Sequence, residues 1–282
     1  MEQILKNRGI KKYGFVSFDN VKLLNTRSRS RLPDGAKSVA VIIYPYYSPG
    51  ARVGNISAYC SVTDYHDIIG LQLKSISRQL KEKYPEDEFV PFVDSSPIAE
   101  VDRAVKAGLG VRGDNGLLIN REWGSFVFIG EIVTTLDITS TCCEDKGCLK
   151  CGRCRKACPG GAICRGSVDG GSCASHISQK KGELTGAEAG ILKKARTVFG
   201  CDICQTVCPM NKKVVAEGGY TPAFEGDGKP ATCFDRVVNA FRTDIVNTVT
   251  EENAPLLYKD RAFGFRGLPV LLRNLKIYNE DK

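Results

Sequence analysis

The chain has 282 residues, of which 42% are hydrophobic and 26% are charged, a composition typical of a globular protein with one large domain or two modest ones. No apolar run approaches the roughly 20 residues of a membrane-spanning helix, and the N-terminal residues resemble neither a secretion signal nor a twin-arginine signal, so we expect a cytoplasmic protein without a membrane partner. The formal net charge of +8 is compatible with a nucleic-acid partner, but the excess lies in residues 142–200, which hold 11 basic and 5 acidic side chains.

Residues 1–140 are predicted to form a mixed α/β (α+β) domain. The run Ser38–Tyr44 is almost continuously apolar, as in a strand that is buried on both faces. Apolar residues at helical spacing predict a helix from Tyr65 to Leu80, with Asp64 as its N-cap. The other predicted elements are a helix at Glu2–Gly9, an apolar run at Phe15–Phe18, a strand at Phe89–Val93, a helix at Ile98–Ala107, and strands at Leu117–Ile119 and Phe126–Val133.

Asp94 directly follows the predicted strand Phe89–Val93. Open α/β sheets bind ligands beyond the carboxyl ends of their strands, which favours a functional aspartate, whereas a turn aspartate is the ordinary alternative. Ser96 and Pro97 are predicted as the N-cap and first residue of the next helix, so Asp94 is not needed as a cap. From the residues alone, both interpretations remain open.

A literal dinucleotide fingerprint occurs at Gly108-x-Gly110-x-x-Gly113. That fingerprint requires a strand before it and a helix after it. Here the predicted order is reversed, with a helix before it and the strand Leu117–Ile119 after it. We therefore reject a nicotinamide site at these glycines.

Eight of the thirteen cysteines form one pattern within residues 141–215, which we predict to be a separate lobe. A run with bacterial ferredoxin spacing ends at Cys158-Pro159, and a second run ends at Cys208-Pro209. In two-cluster ferredoxins the fourth cysteine of such a run ligates the other cluster. The predicted ligands are Cys148, Cys151, Cys154 and Cys208 for cluster 1, and Cys158, Cys173, Cys201 and Cys204 for cluster 2.

Zinc knuckles are the alternative for paired cysteines, but two Cys-Pro endings with reciprocal ligand exchange favour two [4Fe–4S] clusters. Much of the basic excess of residues 142–200 then offsets the negative charge of the clusters. The five remaining cysteines are interpreted as small buried hydrophobic residues. Two of these five, Cys142 and Cys143, lie close to the first ligand. The other three are Cys60, Cys164 and Cys233.

Histidine chemistry has little support, because the chain holds only His66 and His176. The run Asp64-Tyr65-His66 resembles the start of a cobalamin-ligating Asp-x-His-x-x-Gly motif, but Ile69 replaces its glycine. The basic stretch Arg27–Arg31 suits either a phosphate contact or a solvated loop. Further helices are predicted at Ala187–Val198, Phe234–Phe241 and Leu268–Leu275, the last two within a short helical C-terminal segment, 216–282.

Several stretches resemble the epoxyqueuosine reductase family over roughly residues 30–211. They are Gly35–Ser38, Asp64–His66, Val93–Pro97, Glu100, Ala107–Ile132, the cysteine pattern and Phe199–Asn211. Departures include Val101 after Glu100, Asp114 in place of a basic residue and Met210 in place of a tryptophan. The family's long C-terminal helical-repeat domain is matched only by its first repeat, at Phe263–Asn279, which weakens the expectation of a tRNA substrate.

The resemblance implies a nitroreductase-like α/β domain that binds cobalamin, followed by a ferredoxin-like double-cluster lobe. It implies that the two clusters pass electrons to cobalamin and that epoxyqueuosine in tRNA, or a smaller related substrate, is reduced to queuosine. A ferredoxin or flavodoxin is the implied electron donor. Asp94 aligns with the family's catalytic acid and cobalamin contact, and Asn120 and Ser175 match positions near the corrin.

A dry pocket beside the corrin is expected to raise the pKa of Asp94, as suits a general acid. Two other functions stay open. One is a non-enzymatic double-cluster electron carrier whose α/β domain docks a partner. The other is a corrinoid reductase that acts on a different electrophile, such as an organohalide.

Overall fold

A computed structural model of the chain describes residues 1–19, 21, 23–24, 26–52, 54–141 and 147–280. Its strands, in chain order, are β1 Tyr13–Ser17, β2 Ser38–Pro45, β3 Phe89–Val93, β4 Val111–Arg112, β5 Leu118–Ile119, β6 Val127–Thr134, β7 Ile163–Cys164 and β8 Ser167–Val168. Its α-helices are α1 Glu2–Asn7, α2 Tyr65–Lys83, α3 Glu100–Lys106, α4 Arg153–Ala157, α5 Ala174–Ser178, α6 Gly186–Ala195, α7 Ile203–Thr206, α8 Lys212–Glu217, α9 Cys233–Thr243, α10 Ala254–Leu257 and α11 Leu268–Asn279. None of these helices is long and apolar enough to span a membrane, as far as the described residues show.

The central sheet has the strand order β1-β2-β6-β3, and every neighbouring pair is antiparallel. All residues of β2 are buried, as its apolar sequence predicts, because the sheet is covered on both faces. Gly130 of β6 faces α2, where an added Cβ would lie 2.9 Å from Leu73. Its neighbour Glu131 points to the opposite face and interacts with Arg103 of α3.

The helix α2 confirms its predicted start, since the Asp64 side chain accepts a hydrogen bond from the backbone N–H of His66. The prediction for the next helix was wrong at its N-terminus. The helix α3 begins at Glu100 with Ala99 as an N-cap that provides no side-chain hydrogen bond, so Ser96 is not its cap. The backbone changes direction between the end of β3 and the start of α3, because Asp94 and Ser95 adopt positive φ angles of 51° and 21°.

The glycines of the literal dinucleotide fingerprint have a structural explanation. The helix α3 precedes them and the β4–β5 hairpin follows, which is the order expected from the sequence. Gly110 has φ 155°, and a Cβ there would lie 2.4 Å from the carbonyl oxygen of Ile119. The motif therefore serves close backbone packing in the hairpin.

The C-terminal residues contribute to two hydrophobic cores. Phe234 and Phe241 of α9 are buried in the core of the sheet domain, and α9 packs against α2. Leu271 of α11 belongs to a second core that includes Phe199. The segment 216–282 thus connects the sheet domain to the region that carries the second cysteine run.

Candidate functional site

The four cysteines predicted for cluster 1 surround one cavity. Cys148, Cys151, Cys154 and Cys208 all line it. Cys154 and Cys208 are 54 positions apart in the chain, and packing of α4 against α7 brings their segments together. Four thiols around one space match the ligand requirement of a [4Fe–4S] cluster.

The four cysteines predicted for cluster 2 line a second cavity, whose empty volume is about 1070 Å³ and which opens to solvent. These residues are Cys158, Cys173, Cys201 and Cys204. Each predicted ligand set therefore combines cysteines from both ends of the lobe. The same eight residues fall into the same two groups by their spacing in the sequence.

The electrostatics of these thiols suit a site that is completed by cations. Burial raises the pKa of Cys201 to about 11 and that of Cys204 to about 12, and burial also raises the pKa of Cys154 and Cys208. Neighbouring cysteines contribute in the same direction, since several thiolates close together repel one another. Iron binding must therefore displace protons from these sulfurs, and the bound cations replace the missing stabilisation.

Within the described parts of the chain, no three His, Cys, Asp or Glu side chains converge as they would around a single metal ion. A four-iron cluster does not need such convergence, because each of its cysteine ligands binds a different iron. The donor set of both cavities, four sulfurs each, fits two such clusters.

The five remaining cysteines differ in their surroundings. Cys60 is buried, Cys164 is exposed, and the thiol of Cys233 donates a hydrogen bond to the backbone carbonyl of Arg8 at 2.7 Å. The interpretation as buried hydrophobes therefore fits Cys60, whereas Cys164 at the end of β7 contradicts it. Cys142 and Cys143 lie outside the described residues.

Asp94 lies in a third cavity, together with Tyr65, Glu100 and Phe128. The hydroxyl of Tyr65 donates a hydrogen bond to Oδ2 of Asp94 at 3.1 Å, and Nε2 of His66 lies 3.3 Å from the same oxygen. On its other side, Nδ1 of His66 lies 2.7 Å from Oδ1 of Asp64. The imidazole is therefore held between two carboxylates at the start of α2.

The pKa values of this trio differ from the expectation drawn from the sequence. Burial alone would lower the pKa of His66, but its hydrogen bonds to Asp64 and Asp94 raise it to about 9. The hydrogen bond to His66 lowers the pKa of Asp94, against the opposing effect of burial. The predicted raised pKa of Asp94 is thus wrong for this structure, because a cationic partner outweighs desolvation and 56% of the Asp94 side chain is exposed.

A carboxyl group with a raised pKa does lie in the same cavity, but at Glu100. Burial, followed by repulsion from Glu131 and Asp94, raises the pKa of Glu100 to about 8. Burial likewise raises the pKa of Glu131 to about 7, although Ser96 and Arg103 oppose the shift. In the sequence Glu100 is only a position that matches the family, and its place at the first residue of α3 gives no signal of this environment.

Ser175 and Asn120, the two other positions inferred from the family resemblance, differ in their location. Ser175 lines the cluster 2 cavity. Asn120 is buried, its amide donates to the carbonyl of Leu109, and its carbonyl accepts from the backbone N–H groups of Glu122 and Trp123. The side chain of Asn120 is thus already used to hold the turn after β5.

The cluster 2 cavity adjoins the Asp94 cavity. Both are lined by Tyr65, Leu117, Ser125, Val127 and Phe128. Asn115, in turn, lines both cysteine cavities. The arrangement is a series of three neighbouring spaces, from cluster 1 through cluster 2 to a pocket with proton-bearing groups.

Comparison with known proteins gives two family matches along the chain. Residues 27–95 match the family described as "Epoxyqueuosine reductase QueG, DUF1730", and residues 147–211 match a "4Fe-4S double cluster binding domain". The first match includes the Asp64–His66 run and Asp94, and the second includes all eight predicted ligands. The lobe is therefore a double-cluster iron–sulfur domain.

Curated relatives and solved structures agree with these matches. The chain is 39% identical to epoxyqueuosine reductases of Cyclobacterium marinum over 190 residues and of Synechocystis sp. over 193 residues, which covers 64% and 66% of this chain and 61% and 66% of those proteins. It thus spans less than two thirds of their length.

Among solved structures, epoxyqueuosine reductase from Streptococcus thermophilus superposes with a TM-score of 0.75 at 25% identity, over 98% of this chain and 79% of that one. An epoxyqueuosine reductase in complex with a tRNA-Tyr epoxyqueuosine-modified stem loop superposes equally well at 21% identity, which supports the shared fold. By its family matches, its relatives and its α/β fold with a double-cluster lobe, the chain belongs to the epoxyqueuosine reductase family.

Proposed function

We propose that the chain is an oxidoreductase that reduces epoxyqueuosine to queuosine, with tRNA as the carrier of the substrate. The observation that carries the proposal is the contact between the cluster 2 cavity and the Asp94 cavity, which brings an electron source beside proton-bearing side chains. Curated relatives with 39% identity are epoxyqueuosine reductases, and a structural neighbour is complexed with an epoxyqueuosine-modified tRNA stem loop. We place the reaction in the cytoplasm.

The chemistry requires both electrons and protons. Conversion of an epoxide to an alkene breaks two C–O bonds and forms one C=C bond, and the oxygen leaves as water. The balance is two electrons and two protons for each substrate. Two iron–sulfur clusters suit the electron supply, because each of them exchanges one electron at a time.

Cobalamin is proposed as the group between cluster 2 and the substrate, where it would supply a strongly reducing cobalt centre. The space beside cluster 2 fits a large and mostly apolar ring system, since Tyr46, Tyr59, Tyr65 and Phe128 contribute to its walls. We propose Ser175 and Asn120 as residues that support this group, Ser175 from the cavity wall and Asn120 through the turn that it orders.

The proton supply is proposed to come from this chain's own side chains. His66 holds a proton up to a pH of about 9 and faces Oδ2 of Asp94, so Asp94 passes that proton toward the cavity as the acid of the first step. Glu100, whose pKa is raised to about 8 by burial, is proposed as the second proton donor. Tyr65 orients Asp94 through its hydroxyl group.

Two alternative functions, a non-enzymatic electron carrier and a corrinoid reductase of another electrophile, can be distinguished from the proposed one in a single experiment. Protein reconstituted anaerobically with iron and sulfide is mixed with cobalamin, a chemical reductant and an epoxyqueuosine-containing tRNA stem loop, and the nucleosides are measured by mass spectrometry. Formation of queuosine that depends on cobalamin supports the proposal. Cobalamin binding without queuosine indicates a corrinoid reductase of another electrophile, and no cobalamin binding indicates an electron carrier.

The domain limits 1–140, 141–215 and 216–282 stay a proposal as well. Limited proteolysis of the cluster-loaded protein tests them, since cleavage is expected near 141 and 215 if the limits mark separate units.

A further inference from the structure

The two cluster cavities differ in their distance from the proposed reaction. The cluster 2 cavity shares five lining residues with the Asp94 cavity, whereas the cluster 1 cavity shares none with it and meets the cluster 2 cavity at Asn115. If the proposed function holds, electrons from outside therefore enter at cluster 1. The surface over cluster 1 then has to admit an electron donor.

That surface contains exposed apolar and ligand atoms. Leu149 is 62% exposed although its side chain also lines the cluster 1 cavity, and Cys151 is exposed as well. An exposed leucine that also lines a redox cavity exposes apolar area that a partner can cover. Cys151 gives the same partner a short route to the cluster.

The charges around Leu149 are basic. Lys150, Arg153, Arg155 and Lys156 are all exposed. Arg155 lies 3.8 Å from Asp114, whereas the other three cations form no ion pair or hydrogen bond with any residue that the structure describes. Lys150, Arg153 and Lys156 thus lie within seven consecutive residues, in or beside α4, without a charge partner in the part of the chain that the structure describes.

We propose that Leu149, Lys150, Cys151, Arg153 and Lys156, here called the Leu149 face, form the docking surface for an acidic one-electron carrier protein. The exposed cations steer a partner of opposite charge, and Leu149 provides an apolar contact near the centre of the interface. Transient redox complexes characteristically have small interfaces, so a surface of this size suffices. An RNA would also match the positive charge, but RNA binding requires neither an exposed leucine nor an exposed cluster ligand at the same place.

The first experiment measures binding of the carrier without any substrate. Cluster-loaded protein is titrated with an oxidised flavodoxin and with a two-iron ferredoxin at several salt concentrations. The double variant Lys150→Glu/Arg153→Glu is expected to bind at least about tenfold more weakly at low salt, and the difference is expected to shrink as salt screens the charges. Leu149→Ser leaves the charge unchanged and is expected to weaken binding at every salt concentration.

A matched control comes from α2. Lys74 and Arg78 are exposed on the same helix as Leu71, which is 68% exposed, and α2 packs against β3, β6 and α9. Lys74→Glu/Arg78→Glu therefore makes the same change of charge beside an exposed leucine in the sheet domain. This control is expected to bind both carriers as the unaltered protein does.

The second experiment measures the rate of cluster reduction by absorbance. The Lys150→Glu/Arg153→Glu variant should be reduced more slowly by the carrier and at the normal rate by dithionite, and its iron content should equal that of the unaltered protein. Unchanged carrier binding in the variant overturns the proposal, as does equal weakening in the α2 control. Loss of affinity for the tRNA stem loop, with carrier binding retained, also overturns it and assigns the face to RNA.

Failure of this inference differs from failure of the proposed function. Turnover with a chemical reductant needs no docked carrier and tests the function alone. Carrier binding and cluster reduction need no substrate and test the Leu149 face alone.

Discussion

His66 holds its Nε2 atom 3.3 Å from Oδ2 of Asp94, so the proposed catalytic carboxylate has a cationic partner from the start of α2. The two residues are 28 positions apart in the sequence and come from different elements. Because Asp64 fixes the other ring nitrogen at 2.7 Å, the imidazole is oriented as well as charged. We therefore propose that proton delivery depends on the trio Asp64, His66 and Asp94 rather than on one acid.

Replacing Asp94 with asparagine removes the charge but keeps the shape of the side chain. We expect turnover to fall by roughly 10²–10⁴-fold, because the proton path from His66 is interrupted. The pKa of His66 should also fall from about 9, since one of its two carboxylate partners is lost. Histidine resonances followed by NMR during a pH titration measure that fall, and unchanged visible absorption of the clusters serves as the control.

The pair of charges also predicts how stability depends on pH. The folded-state pKa of His66 is raised from an ordinary 6.5 to about 9, so its contribution is complete below pH 6.5 and is lost as the pH rises through 9. The pKa of Asp94 is lowered from an ordinary 3.8, so its contribution is lost only as the pH falls below that value. The difference in melting temperature between the unaltered protein and His66→Gln should therefore be largest between about pH 4 and 6.5. A constant difference up to pH 10 would contradict the ion pair.

Glu100 should set the alkaline limit of activity. Its pKa of about 8 means that it is mostly protonated at neutral pH and ionised above pH 8, so the rate of turnover should decline through that range. Glu100→Gln should slow the reaction and remove this decline. Glu122 does not line the Asp94 cavity, is exposed and pairs with Lys12 at 2.9 Å, so Glu122→Gln is a control that should leave the pH profile unchanged.

Single cysteine replacements should remove one cluster each. Cys208→Ala is expected to lower the iron content from about eight to about four per chain, and Cys201→Ala should do the same for the other cluster. Cys164→Ala is the matched control, because that thiol is exposed on β7 and belongs to neither predicted ligand set. Retention of all iron in Cys208→Ala would refute the reciprocal ligand assignment.

Asn115 should tune the potential of cluster 2. Its amide nitrogen is buried without a hydrogen-bond partner among the described residues, and its side chain partly opposes the burial that raises the pKa of the Cys204 thiol. Hydrogen bonds to cluster sulfurs raise the reduction potential. We expect Asn115→Leu to lower the midpoint potential of cluster 2, as measured by a redox titration followed by electron paramagnetic resonance. An unchanged potential with both clusters intact would exclude this role.

The sequence by itself determined the elements and ligands that depend on local spacing. The period of the apolar residues located α2 and its Asp64 cap, and the run Ser38–Tyr44 was recognised as a strand buried on both faces. Cysteine spacing divided eight thiols into the two groups that now surround two cavities. Such features follow from contacts over a few residues or from the fixed geometry of a cluster.

Only the tertiary structure decided the properties that depend on distant partners. The antiparallel sheet, the late start of α3 at Glu100 and the neighbourhood of Asp94 all result from how separate segments pack. A dry pocket, expected from the sequence, would raise the pKa of Asp94, whereas the fold places His66 in hydrogen-bond contact with it, which lowers that pKa. The raised pKa belongs instead to Glu100, because burial and neighbouring carboxylates act there and no cation among the described residues is in hydrogen-bond contact with it.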